Sequence, residues 1–116
     1  MVRLLQVLLC SALLIASTAC TVCHEEIVDQ TTSSDRQWTT RTTVRACGSL
    51  ATTNVYLQRS DSRARLGEIV VLVRRVHPLR IAWSSASQIQ VTCDGCAQDV
   101  RLLRASAHGV NIAMSR

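Results

Sequence analysis

The sequence predicts a mostly β protein, a small antiparallel β-sandwich or barrel stapled by disulfides and preceded by an N-terminal hydrophobic helix that is cleaved. Three observations predict this class. Short β-branched or alternating segments recur between turn signals. No long helical pattern follows the leader. The cysteines suit a small domain that needs covalent support, because a chain of this size buries a limited core.

The leader is residues 1–20, which have the pattern of a secretory signal peptide. Arg3 supplies the basic start, an apolar run follows from Leu4 to Ile15, and small residues end at Ala19. The run is shorter than the roughly 20 residues that span a bilayer. We therefore expect a secreted, extracellular product, residues 21–116, that forms a single domain with no transmembrane segment after cleavage.

The exact cleavage site decides the number of cysteines that remain. Cleavage after Ala19 leaves Cys20 in the mature chain, where it would be unpaired or would link two copies into a dimer, whereas cleavage after Cys20 leaves an even set. Ser17-Thr18-Ala19-Cys20 also resembles a lipoprotein cleavage box, so a bacterial lipoprotein is a further alternative.

The strand candidates follow one another along the rest of the chain. Residues 22–38 are polar and weakly patterned, and 29–36 are rich enough in Ser, Thr and Asp to predict a loop. β-Branched residues, alternation or a continuous apolar run then mark strands at 39–45, 54–58, 68–76, 80–83, 88–93 and 109–114. Residues 60–67 and Asp94-Gly95 predict turns, and 99–107 fits either a strand or a helical turn.

Two of these segments carry the strongest signals. Ile69 to Val73 is continuously apolar, which predicts a strand covered on both faces, and His77-Pro78 ends it. Residues 88–93 alternate, so Ile89, Val91 and Cys93 share one face. This pattern predicts an antiparallel strand with one buried side.

Cys23, Cys47, Cys93 and Cys96 are the disulfide candidates. Four thiols allow three pairings. The loop between Cys93 and Cys96 is tight, which favours Cys23 and Cys47 each bridging to one member of that pair. The spacing of Cys23, Trp38 and Cys93 is similar to that of an immunoglobulin-type domain, but Val91 stands where that domain has a tyrosine, so no residue role is carried over.

The two Cys-x-x-Cys pairs, at Cys20/Cys23 and Cys93/Cys96, are weak signals for metal or redox chemistry. About 70 residues separate them, far more than the 15–20 of zinc ribbons. A redox pair usually precedes a helix, and none is predicted here. His24, His77 and His108 are scattered, and no phosphate loop, nucleophile elbow or calcium loop is present. We expect no catalytic residues, no metal and no cofactor.

Charge gives the main functional expectation. The chain has 13 basic residues, all arginine, and a net charge of +5. Residues 71–116 hold six arginines against Asp94 and Asp99 only. A positive field of this kind favours encounters with anionic partners. The predicted contact surface consists of Arg74, Arg75, Arg80, Arg101 and Arg104.

The sequence therefore predicts a secreted, non-enzymatic binding or signalling protein. Its partner would be an extracellular protein receptor or an anionic polysaccharide, and not a nucleic acid. A cationic host-defence or toxin-like factor is the alternative, although no sustained basic amphipathic helix supports it. Arg74-Arg75 and Arg101–Arg104 also resemble basic processing sites, but a cut after Arg75 would sever a predicted strand.

Overall fold

The computed structural model describes residues 22–116. The predicted signal peptide with its hydrophobic helix, and Cys20, lie outside the described residues. Strands make up 63% of the described part, which contains no helix. In chain order they are β1 (Cys23–Thr32), β2 (Trp38–Cys47), β3 (Leu50–Arg59), β4 (Glu68–Arg74), β5 (Arg80–Ser85), β6 (Gln88–Thr92), β7 (Val100–Leu103), β8 (Ser106–Ala107) and β9 (Val110–Ser115). The predicted β class is confirmed.

The strands form two sheets. Sheet A has the order β1-β2-β3-β4-β7, and all its neighbours are antiparallel. Sheet B has the order β5-β6-β9-β8. Within it β6 and β9 are parallel, so the expectation of a purely antiparallel fold is wrong for this pair. The reason is the chain path, because β7 lies in sheet A and the chain returns to sheet B before β9 begins.

Both sheets contribute to one hydrophobic core. Alternate side chains of β3 and β4 in sheet A and of β5, β6 and β9 in sheet B supply most of it, as the period-two geometry of strands requires. A bulge between β3 and β4 lets the adjacent Val70 and Val71 both contribute. Its members are Val55, Leu57, Val70, Val71, Val73, Leu79, Ile81, Ile89, Val91, Cys93, Cys96, Val110 and Ile112. Ile89, Val91 and Cys93 are each at most 1% exposed, as the alternation predicted.

One prediction about strands is wrong, because residues 29–32 belong to β1 rather than to a loop. Residues 99–107, which fitted either a strand or a helical turn, contain the strands β7 and β8. β1 is an edge strand whose residues are mostly exposed, so no apolar alternation marks it in the sequence. The sequence predicts six strands and leaves residues 99–107 open, whereas residues 22–116 contain nine strands.

The disulfide pairing differs from the expected one. Cys23 bonds to Cys47, and Cys93 bonds to Cys96. Cys23 and Cys47 are opposite each other at the open end of the β1–β2 hairpin, with their Cα atoms 4.2 Å apart. The pairing of β1 with β2 brings these two cysteines together, and the sequence did not predict β1. The immunoglobulin-like spacing is also without meaning, since Cys23 does not reach Cys93.

Candidate functional site

A polar groove of about 610 Å³ opens where β4 ends. We call it the basic groove. It is lined by Arg74, Arg75, Gly95, Ala97, Gln98, Asp99 and Arg101. Arg74 is the last residue of β4, Arg101 lies in β7, and the connection from Cys93 to Asp99 forms the remaining wall.

Arg75 holds an unusual backbone conformation in this groove. Its φ is 72°, a value that non-glycine residues rarely adopt and that costs free energy. Hydrogen bonds fix it on both sides. The amide of Arg75 donates to the carbonyl of Ala51 at 2.8 Å, and its carbonyl accepts from the hydroxyl of Thr53 at 2.8 Å. The chain therefore turns sharply at Arg75, whose side chain is exposed.

The opposite wall is a short loop closed by the Cys93–Cys96 disulfide. Gly95 has a φ of 80°, which glycine adopts at little cost in such a turn. The amide of Asp99 donates to the carbonyl of Cys96 at 2.8 Å, and the amide of Arg74 donates to the carbonyl of Asp99 at 2.7 Å. These bonds attach the loop to β4 and fix the distance between the two walls.

Asp99 is the acidic residue of the groove, and its carboxylate is engaged on both oxygens. Oδ2 lies 2.7 Å from Nε2 of His77, and Oδ1 lies 3.7 Å from Nε of Arg74. The hydrogen bond with His77 holds the pKa of Asp99 below its ordinary value, and the nearby arginines act in the same direction. Asp99 thus remains ionised and offsets one of the three arginine charges.

The structure brings together three of the five predicted contact arginines. Arg74, Arg75 and Arg101 line the basic groove. The other two lie elsewhere and have acidic partners, since Arg80 is 4.0 Å from Asp94 and Arg104 is 3.5 Å from Glu68. Within residues 22–116, neither Arg75 nor Arg101 has a carboxylate within 4.0 Å.

His77 connects the groove to the buried disulfide. One of its ring nitrogens and the sulfurs of Cys93 and Cys96 lie within 4.8 Å of one another. The two sulfurs are bonded to each other, so they are not thiolates, the form of cysteine that binds metals and attacks disulfides. Both cysteines are fully buried, which also shields the disulfide from thiol exchange.

The other two histidines have different environments. His24 is exposed in β1. His108 stacks on Trp38 with ring centroids 5.5 Å apart and lies 2.8 Å from a carboxylate oxygen of Glu68. The three histidines therefore do not form a common cluster.

Sequence reasoning missed the pairing of His77 with Asp99 and the contribution of Gln98 to the groove. Asp94 and Asp99 are the two acids of the C-terminal half, but nothing in the sequence indicates that Asp99 faces a histidine 22 positions earlier. The pairing depends on the loop from Cys93 to Asp99 folding back onto β4, which is a tertiary contact.

Comparisons with protein families, curated proteins and solved structures found no match for this chain. Among residues 22–116, no helix is long and apolar enough to cross a membrane.

Proposed function

We propose that this is a secreted, non-enzymatic binding protein whose basic groove holds an anionic group of an extracellular partner. The observation that carries the proposal is the convergence of Arg74, Arg75 and Arg101 on one open groove. The three guanidinium groups and the single carboxylate of Asp99 leave two positive charges there. In this proposal the two sheets pack as a small β-sandwich that holds the groove rigid.

The chemistry of the groove favours a sulfated or carboxylated polysaccharide. A guanidinium group has a planar donor fork that fits two oxygens of a sulfate or carboxylate. Arg75 and Arg101 have no acidic partner among the described residues, so such a ligand displaces no ion pair from them. Arg101 donates to the carbonyl of Gln98 at 2.9 Å, which positions its side chain at the groove.

Heparin chromatography with paired charge reversals tests the proposal. Replacing Arg75 and Arg101 by Glu should lower the salt concentration at which the protein elutes. The control variant has Glu in place of Arg36 and Arg63, two exposed arginines in the turns at the opposite end of sheet A. The two double variants therefore have the same net charge. Equal shifts for the two double variants would show that net charge alone governs retention, and would contradict a groove site.

A third variant separates loss of contact from loss of folding. Arg75→Gly removes the side chain but suits the φ of 72°. We expect weaker heparin binding with a free energy of unfolding that is unchanged or up to about 1 kcal/mol higher. If Arg75→Gly binds heparin as tightly as the wild type, Arg75 is not part of the binding site.

A further inference from the structure

A shallow depression continues the basic groove toward the turn between β2 and β3. Its volume is about 260 Å³, and it is lined by Ser49, Leu50, Ala51, Arg74 and Arg75. Both arginines also line the basic groove, so the depression and the groove adjoin each other. The hydrogen bond from the amide of Arg75 to the carbonyl of Ala51, at 2.8 Å, fixes this turn beside the end of β4.

A second depression, of about 270 Å³, continues from the first onto the outer face of sheet A, the face away from the core. Leu50 and Ala51 line both depressions. Arg45 of β2 lines the second one. The basic groove and the two depressions therefore form one continuous path that contains Arg45, Arg74, Arg75 and Arg101, and we call this path the basic track.

The register of sheet A sets the spacing of the cations along the basic track. Arg45 of β2 lies opposite Thr52 of β3, and Thr52 lies opposite Arg74 of β4. Directly opposite residues have their side chains on the same face of a sheet, so Arg45 and Arg74 both stand on the outer face. Two strand spacings, about 10 Å, separate these arginines, and a third spacing reaches β7 with Arg101, about 15 Å from β2.

Arg45 is available to bind an anion. The residue is exposed, and within residues 22–116 no carboxylate lies within 4.0 Å of its side chain. Glu25 is opposite Arg45 in the register of β1 and β2, but Oε2 of Glu25 accepts hydrogen bonds from the hydroxyls of Thr43 and Tyr56, each at 2.8 Å. An anion that binds Arg45 therefore displaces no ion pair.

We propose that the basic track binds a linear sulfated polysaccharide that lies across the strands of sheet A. One anionic group of the chain lies in the basic groove, and another group further along the same chain pairs with Arg45. The basic track rests on the binding function proposed above and adds a contact outside the groove. Two contacts within one ligand raise its overall affinity, because the second contact forms at a high effective concentration.

The direction of the basic track favours a polysaccharide over an acidic peptide. Extended peptides bind β-sheets by adding a strand at an edge, where main-chain hydrogen bonds are open. The track instead crosses β2, β3 and β4, each of which lies between two other strands of sheet A. Binding there depends on side chains, and the hydroxyls of Ser49 and Thr52 add donors to the guanidinium groups.

NMR titration of the purified protein with two heparin oligosaccharides tests this proposal. A disaccharide is shorter than the span of about 15 Å between β2 and β7, whereas an octasaccharide is longer. The octasaccharide should shift the side-chain Nε–H signals of Arg45, Arg75 and Arg101, and the disaccharide should shift only those of Arg75 and Arg101. An octasaccharide that leaves the Arg45 signal unmoved would overturn the track but not the groove. If neither oligosaccharide shifts the signals of Arg75 and Arg101, the function proposed above fails as well.

The salt dependence of the affinity measures the contact at Arg45. An ion pair with a polyanion releases counterions, so Arg45→Gln should lower the slope of log affinity against log salt concentration by about one for the octasaccharide. The slope for the disaccharide should stay the same. Arg63→Gln is the matched control, because Arg63 is exposed in the turn at the opposite end of sheet A and its replacement removes the same charge. Equal slopes in the two variants would show that net charge governs the salt dependence, and would contradict a contact at Arg45.

An octaglutamate peptide distinguishes a polysaccharide from an acidic protein segment. We expect the peptide to bind more weakly than the octasaccharide and to leave the Arg45 signal unmoved. If it binds as tightly as the octasaccharide and shifts the Arg45 signal, the assignment of the track to a polysaccharide is wrong.

Discussion

Asp99 joins three parts of the molecule through one side chain and its backbone. Its carboxylate contacts His77 beyond the end of β4 and Arg74 at that end, while its backbone bonds with Cys96 and Arg74 close the groove wall. A carboxylate with these partners stabilises the fold only while it is ionised. Protonation of Asp99 in acid should therefore lower the free energy of unfolding.

The direction in which stability changes with pH follows from the lowered pKa of Asp99. Because the pKa in the folded state is below the unfolded value of about 3.9, the stabilisation is present above that value and is lost as the pH falls through the folded pKa. Asp99→Asn should therefore lose less stability than the wild type as the pH falls below about 4. Urea unfolding at a series of pH values measures this slope.

Asp61→Asn provides the control for the acid series. Asp61 pairs with Arg59 at 3.4 Å, but its side chain is 79% exposed, so solvent screens the pair. This variant should keep the acid dependence of the wild type. An Asp99→Asn variant that also keeps it would show that the contact with His77 does not couple protonation to folding.

At the residue scale, the sequence indicated which residue types matter but not which of them meet. The arginine excess after residue 71 predicted a basic surface, and three of its five members share a groove. Arg80 and Arg104 lie outside the groove, where Asp94 and Glu68 are beside them.

Among the elements, β1 depends most on a covalent bond. Within residues 22–116 it is an edge strand paired only with β2, it is mostly exposed, and its register shifts between Ile27 and Asp29. The Cys23–Cys47 disulfide closes the open end of this hairpin. A strand with so little burial gains little from packing, so the bond is expected to contribute much of its order.

Replacing Cys23 and Cys47 together by Ser should therefore act mainly on β1. We expect a loss of about 2–4 kcal/mol in the free energy of unfolding, and faster amide hydrogen exchange in β1 than in β3. Hydrogen exchange followed by NMR gives both readings. The disulfide would have no such local role if β1 and β3 lost protection equally, or if stability did not change.

The strands that the sequence predicted are the ones that bury side chains. β2 to β6 and β9 carry β-branched residues, alternation or apolar runs, and each was expected close to its observed position. β1, β7 and β8 form three of the four sheet edges, and β5, which forms the fourth, still buries Ile81. Edge strands need no apolar pattern on either face, so composition alone does not distinguish them from loops.

The two sheets are joined by more than their shared core. Trp38 of β2 in sheet A stacks on His108, which lies between β8 and β9 of sheet B. Trp83 of β5 in sheet B donates from its indole nitrogen to the hydroxyl of Thr31 in β1 of sheet A, at 3.1 Å. Each tryptophan thus reaches from its own sheet to the other one. The sequence did not predict these contacts, because they depend on how the sheets are placed.

A shared core and two such contacts predict that the sheets unfold together. Trp38→Phe leaves Trp83 as the fluorescent reporter of sheet B, and Trp83→Phe leaves Trp38 as the reporter of sheet A. Within each variant, urea transitions followed by tryptophan fluorescence and by far-ultraviolet circular dichroism should coincide, as two-state unfolding requires. If the fluorescence of Trp83 changed at lower urea than the dichroism, sheet B would unfold first. Sheet A would then be stable without sheet B, and the end of β4, which supports the basic groove, would remain folded.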